Sequence, residues 1–128
     1  MILLDTCTLI WLVTDQEHLS IKAKSAISEN RGFLYSSSIS AFEIEMKVKK
    51  KKLIIKSKTV DWYKDSLKLH GIKGIPLIAE ILVESVNLPD HHNDPCDRMI
   101  IATAKMNNLS IITPDQLIKK YRTVKTIW

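Results

Sequence analysis

Short apolar runs alternate along this chain with longer stretches of helical period. Ile2–Leu4 is wholly apolar and stops at Asp5, which predicts a short buried strand. Residues 8–14 predict a helix with Trp11 packed inward. Ser20 is a natural N-cap for a helix over 20–30, with Gly32 just past its end. Residues 33–35 predict a second strand. A helix follows over 38–51, with Ile39, Phe42 and Met46 at i, i+3 and i+7 as its buried stripe. Residues 59–70 continue as helix, with Trp62, Tyr63 and Leu67 apolar and Gly71 as a stop. Ile72–Ile75 predicts a third strand, and Pro76 opens a helix to about Val86. Residues 87–93 are polar and turn-rich. Asp94 then caps a helix running to about Met106, with Pro95 at the first position, where a missing N–H costs nothing. Residues 110–113 predict a buried strand, Pro114 a last short helix to about Tyr121, and 123–127 an edge strand. Five apolar runs separated by helices imply a parallel sheet with helices on both faces, an α/β fold.

Four acids stand out against this pattern. Asp5 and Asp115 follow strands, at the carboxyl edge where open α/β sheets bind ligands. Glu43 lies four residues after Ile39 and three before Met46, on or beside the expected buried stripe. Asp97 shares a helix face with Ile100, Ile101 and Ala104. Singly, each has an ordinary explanation. Asp5 and Asp115 can cap helices, Asp97 can answer a helix dipole, and Glu43 can sit at the polar margin beside Glu45 and Lys47. Together they would converge on one rim, where two carboxylates about 4 Å apart repel by roughly 4 kcal/mol at an effective dielectric near 20. Arg98 is one candidate compensator. A hard divalent cation, Mg²⁺ or Mn²⁺, is a better one, because it prefers carboxylate oxygen. His91 and His92 are adjacent in a loop without zinc-site spacing, and are read as polar loop or substrate-side residues.

Composition narrows the chemistry. A chain of 128 residues with 45% hydrophobic content builds one domain with a real core. Its 19 Lys and Arg against 14 acids leave +5, which favours anionic partners. Lys47, Lys49, Lys50, Lys51 and Lys52 crowd one helix end, where they serve as solvated charges, as phosphate contacts, or as both. No apolar run approaches the ~18 residues of a membrane span. With no recognisable export signal, Cys7 and Cys96 are expected to be reduced thiols in a cytoplasmic protein. Acids holding Mg²⁺ inside a basic protein fit phosphodiester hydrolysis.

Four segments, in this order, carry a resemblance. They are Leu4-Asp5-Thr6, Ser40-Ala41-Phe42-Glu43-Ile44, Asn93-Asp94-Pro95-Cys96-Asp97-Arg98-Met99-Ile100-Ile101-Ala102, and Ile112-Thr113-Pro114-Asp115. Across essentially the whole chain the sequence resembles the PIN domain, and more narrowly the VapC-type toxins of toxin–antitoxin pairs. The resemblance implies one three-layer α/β/α domain over 1–128 with a central parallel sheet of about five strands. It implies a Mg²⁺- or Mn²⁺-dependent endoribonuclease acting on RNA, inhibited by a cognate antitoxin and forming a homodimer. Spare apolar residues on the 59–70 helix agree with a second copy. Asp5, Glu43, Asp97 and Asp115 match the family's catalytic, metal-binding quartet. Thr6 and Thr113 match supporting positions, and Asp94 keeps its cap role. Lys47, Lys49, Lys50 and Arg98 are assigned to the RNA. Cys96 departs from the pattern, standing where relatives commonly carry an aromatic residue. The alternative is a PIN-like module that binds RNA or protein without cutting, against which the intact quartet argues.

Overall fold

A computed structural model describes residues 1–128. Strand β1 (Ile2–Leu4) is the middle of a five-stranded parallel sheet ordered β3-β2-β1-β4-β5. Its neighbours are β2 (Leu34–Ser37) and β4 (Ser110–Ile112), with Leu3 opposite Tyr35 on one side and Ile111 on the other. The outer strands are β3 (Ile72–Ile75) and β5 (Thr126–Ile127). β1 must be apolar throughout because both sheet faces are covered. Ile2 and Leu4 enter one core with Leu9, Leu12, Ala23, Leu34 and Leu67, whereas Leu3 enters the other with Ile81, Ile100, Ile101 and Ile111.

The helices complete three layers. α1 (Thr6–Thr14), α2 (Ile21–Glu29) and α4 (Thr59–Leu69) cover the first face, and α5 (Ala79–Asn87) and α6 (Pro95–Met106) the second. α3 (Ile39–Lys49) gives Ile39 to one core and Ile44 to the other, so it straddles the sheet's edge. The strand order runs outward from β1 through β2 to β3, then returns to β4 on the other side of β1. That reversal opens a crevice between the carboxyl ends of β1 and β4. No helix is long and apolar enough to cross a membrane.

Several local expectations shift. α1 starts at Thr6 rather than at residue 8, because the Asp5 carboxylate caps it by accepting from the Thr8 N–H at 2.8 Å. Phe33 stays outside β2 and exposed. Pro76 does not open α5. Residues 76–78 stay outside the helix, with Ile78 extended and the Leu77 N–H donating to Ser38 Oγ at 3.2 Å, and the helix begins at Ala79. The helix expected after Pro114 is one 3₁₀ turn, Ile118–Lys120. The stripe expected on α3 is rotated: Phe42 and Met46 are 56% and 37% exposed, while Ile39, Ser40 and Ile44 are buried. At the sheet edge this helix turns its small Ser40 toward α1, leaving the large side chains outside. Trp11 lies half-buried at the core margin, against Trp128 and His18.

Candidate active site

The crevice collects one carboxylate from each of four segments. Asp5 ends β1 and is only 5% exposed. Burial pushes its carboxyl pKa up, opposed by the Thr113 hydroxyl and the Thr8 N–H. Glu43 projects from α3 toward Thr6, whose hydroxyl donates to its Oε1 at 2.6 Å. Having spent its proton there, Thr6 Oγ1 accepts from Ser40 Oγ at 2.9 Å, so a two-hydroxyl chain orients Glu43. Burial raises the Glu43 pKa, and the charges of Asp94 and Asp5 add to it.

Asp97 stands in the first turn of α6. Burial, with the nearby charges of Glu43 and Asp94, pushes its pKa up to about 7. Asp115 follows β4; its N–H donates to Thr113 Oγ1 at 3.0 Å, and its Oδ1 accepts from the Leu117 N–H at 2.8 Å. Asp94 is a cap: Oδ1 accepts from the N–H groups of Cys96 and Asp97 at 2.8 and 3.3 Å. In Asp5 and Asp94 helix capping and site placement coexist: the hydrogen bonds that start α1 and α6 also fix these two carboxylates.

His92 is the residue that sequence reasoning missed. Its ring is buried between Asp97 and Asp115, with Nε2 at 3.1 and 3.0 Å from their Oδ2 atoms. His91, its neighbour in sequence, is exposed and packs edge-on against Tyr121. Nothing local separates the two histidines; only burial does.

Arg98 requires a correction. It neither neutralises the quartet nor faces solvent for a phosphate. Its guanidinium donates to the carbonyls of Ser85, Val86, Leu88, Pro89 and His92 and to the Tyr121 hydroxyl. It thereby closes the C-terminus of α5, whose last carbonyls lack helical partners. Lys47 lies one turn beyond Glu43, and its charge draws down the pKa of Glu43 and of Cys7. Lys49 and Lys50 are exposed at the end of α3. Cys7 and Cys96 are free thiols, each pushed up to about 11 by burial and by the acids beside them.

No lysine or arginine forms an ion pair with Asp5, Glu43, Asp97 or Asp115. Four carboxylates share a half-buried crevice, and the only basic side chain against them is the His92 imidazole, beside Asp97 and Asp115. All-oxygen donors with uncompensated charge fit a hard divalent cation, and fit a thiophilic one poorly.

The chain matches the PIN domain family over residues 2–123. It belongs to that family. Ribonuclease VapC22 of Mycobacterium tuberculosis is 26% identical to this PIN domain over 130 residues, covering 99% of this chain and 98% of that protein. Among solved structures, the DNA-bound VapBC of Salmonella typhimurium superposes with a TM-score of 0.72 at 14% identity, over 98% of this chain and 95% of that one. A toxin–antitoxin complex from Klebsiella pneumoniae gives 0.67 at 23% identity, over 97% and 95%. The three-layer architecture of this PIN domain is thus shared along its whole length.

Proposed function

We propose that this PIN domain is a Mg²⁺- or Mn²⁺-dependent endoribonuclease, hydrolysing RNA phosphodiester bonds as the toxin of a toxin–antitoxin pair. The observation carrying this reading is the convergence of four carboxylates, none of them paired with a lysine or arginine, at the switch point of a chain charged +5. The kinship to a protein named a ribonuclease and to toxin–antitoxin complexes supports it.

Asp5 and Asp97 are the first choice to hold the cation, with Glu43 and Asp115 joining directly or through water. Once bound, the cation supplies polarisation of a phosphoryl oxygen and a more acidic water. The protein's own part is orientation and proton acceptance. The Thr8 N–H fixes Asp5, and the Thr6 hydroxyl fixes Glu43 through Oε1. Glu43 Oε2 is left to take a proton from the attacking water, and its raised pKa suits it as a base. Lys47, with Lys49 and Lys50 beyond it, supplies sequence-independent attraction for the RNA backbone. The antitoxin is read as a protein that masks this rim. A second copy of the chain is expected as well, with exposed Val60 and Leu69 on α4 available to it.

Purified, antitoxin-free protein is expected to cut total cellular RNA in Mg²⁺ or Mn²⁺, to stop in EDTA, and to recover when metal is restored. Cutting indifferent to EDTA would remove the cation from the mechanism. Folded protein that binds RNA in metal and never cuts it would favour the binding-module reading. The pKa of Asp97 adds a second expectation. The cation requires the ionised carboxylate and competes with its proton, so Mn²⁺ affinity should fall about tenfold per pH unit below about 7. An affinity flat from about pH 7 to 5, by calorimetric titration, would take Asp97 out of the ligand set.

A further inference from the structure

His92 Nε2, Asp97 and Asp115 offer ligand atoms within 4.8 Å of one another, a spacing that would suit a cation ligated by the imidazole. The other ring nitrogen argues against that arrangement. His92 Nδ1 lies 3.1 Å from the backbone N of Asp94, and a backbone N–H can only donate. Nδ1 is therefore the acceptor and carries no proton, which places the ring proton on Nε2. An Nε2–H has no lone pair to give a metal. Metal-ligating histidines almost always donate from their second nitrogen, and here that nitrogen accepts.

The ring is also held by groups other than the carboxylates of Asp97 and Asp115. The Asp94 N–H is positioned by the cap of α6. The His92 N–H donates to Tyr121 Oη at 2.9 Å, and the His92 carbonyl accepts from Arg98 Nη1 at 3.0 Å. Tyr121 Oη in turn donates to the Pro89 carbonyl at 2.7 Å. This frame aims Nε2–H between two carboxylates that would otherwise repel each other.

We propose that His92 is a positioning residue and not a metal ligand: its Nε2–H donates to Asp115 Oδ2, stands 3.1 Å from Asp97 Oδ2, and so holds the two carboxylates side by side. Asp97 Oδ1 is left without a protein partner, available to the cation. The inference rests on the metal-dependent reading above and assigns Arg98 and Tyr121 their part in it, which is to fix the loop that carries His92.

Wild-type protein loaded with Mn²⁺ is expected to show no imidazole ¹⁴N coupling from His92 in pulsed EPR. Histidine ¹⁵N spectra should show the Nε2–H tautomer both without metal and with Mg²⁺. His92→Ala should weaken Mn²⁺ binding about 10- to 100-fold. His92→Gln, which keeps an N–H donor and lacks an imidazole, should restore most of that affinity. Imidazole coupling in wild type that disappears in His92→Gln, or an Nε2 that loses its proton when Mg²⁺ binds, would overturn the assignment, as would wild-type protein that binds no Mn²⁺. None of these readouts involves RNA. Mn²⁺ binding with the Nε2–H tautomer but no RNA cleavage would defeat the nuclease reading and leave this one standing, and metal-dependent cleavage with imidazole coupling would do the reverse.

Discussion

Asp97→Asn is expected to abolish RNA cleavage, with a loss of at least about 10²-fold, while raising the melting temperature of the metal-free protein. The substitution conserves volume and leaves an oxygen to face His92 Nε2–H, so the packing of α6 against its neighbours should survive. What goes is a charge that burial, Glu43 and Asp94 all oppose. The direction follows from linkage. An ordinary aspartate in the unfolded chain titrates near 4, and this one titrates at about 7 in the folded state. The folded protein therefore holds the proton more tightly, and that contribution to stability is complete below about pH 4 and lost as pH rises through about 7. Asparagine has no such dependence. In EDTA the gap in melting temperature between variant and wild type should open across that window, reaching about 1–3 kcal/mol of stability above it. Saturating Mn²⁺ should reverse the order, because only wild type keeps the full ligand set. Cleavage near the wild-type rate would remove Asp97 from the site. A lower melting temperature in EDTA at high pH would mean that the carboxylate holds the fold together instead.

The second large effect belongs to Arg98. Its planar guanidinium spreads donors over five carbonyls and the Tyr121 hydroxyl, from the end of α5 through the loop to His92. Arg98→Lys keeps the charge and loses the fork. One ammonium cannot replace Nε, Nη1 and Nη2, which serve separate carbonyls, so several of these lose their partner. A loss of about 2–4 kcal/mol is expected, read as a lower denaturant midpoint. Cleavage should fall with it, since the same loop carries His92 and leads into Asp94 and Asp97. The salt dependence of RNA binding should stay as in wild type, because no phosphate contact is removed. Unchanged stability together with a shallower salt dependence would return Arg98 to the RNA surface.

Local chemistry made much of this protein legible. β1 reads as buried on both faces because three consecutive apolar residues leave no polar side to expose. The caps at Ser20 and Asp94 are visible because an N-cap acts within its own turn. The order of the four acids along the chain, each beside an apolar run, was enough to place them on one rim once the sheet was taken as parallel.

Tertiary structure decided what local pattern could not. The periodicity of α3 identified a helix but not its buried face, which depends on where the sheet edge passes; Ser40 faces α1 and Phe42 does not. Pro76 is compatible with a first helical turn, but the junction is tied to Ser38, 39 residues back from Leu77, by the Leu77 N–H to Ser38 Oγ and the Ser38 N–H to the Ile75 carbonyl, and the helix starts only at Ala79. A guanidinium satisfies phosphate oxygens and peptide carbonyls equally well, so only the fold of residues 85–92 around Arg98 could assign it. His91 and His92 are chemically identical and adjacent. The Asp94 amide and the two carboxylates from α6 and the β4 loop meet one of them alone, because those segments come together only when the sheet forms.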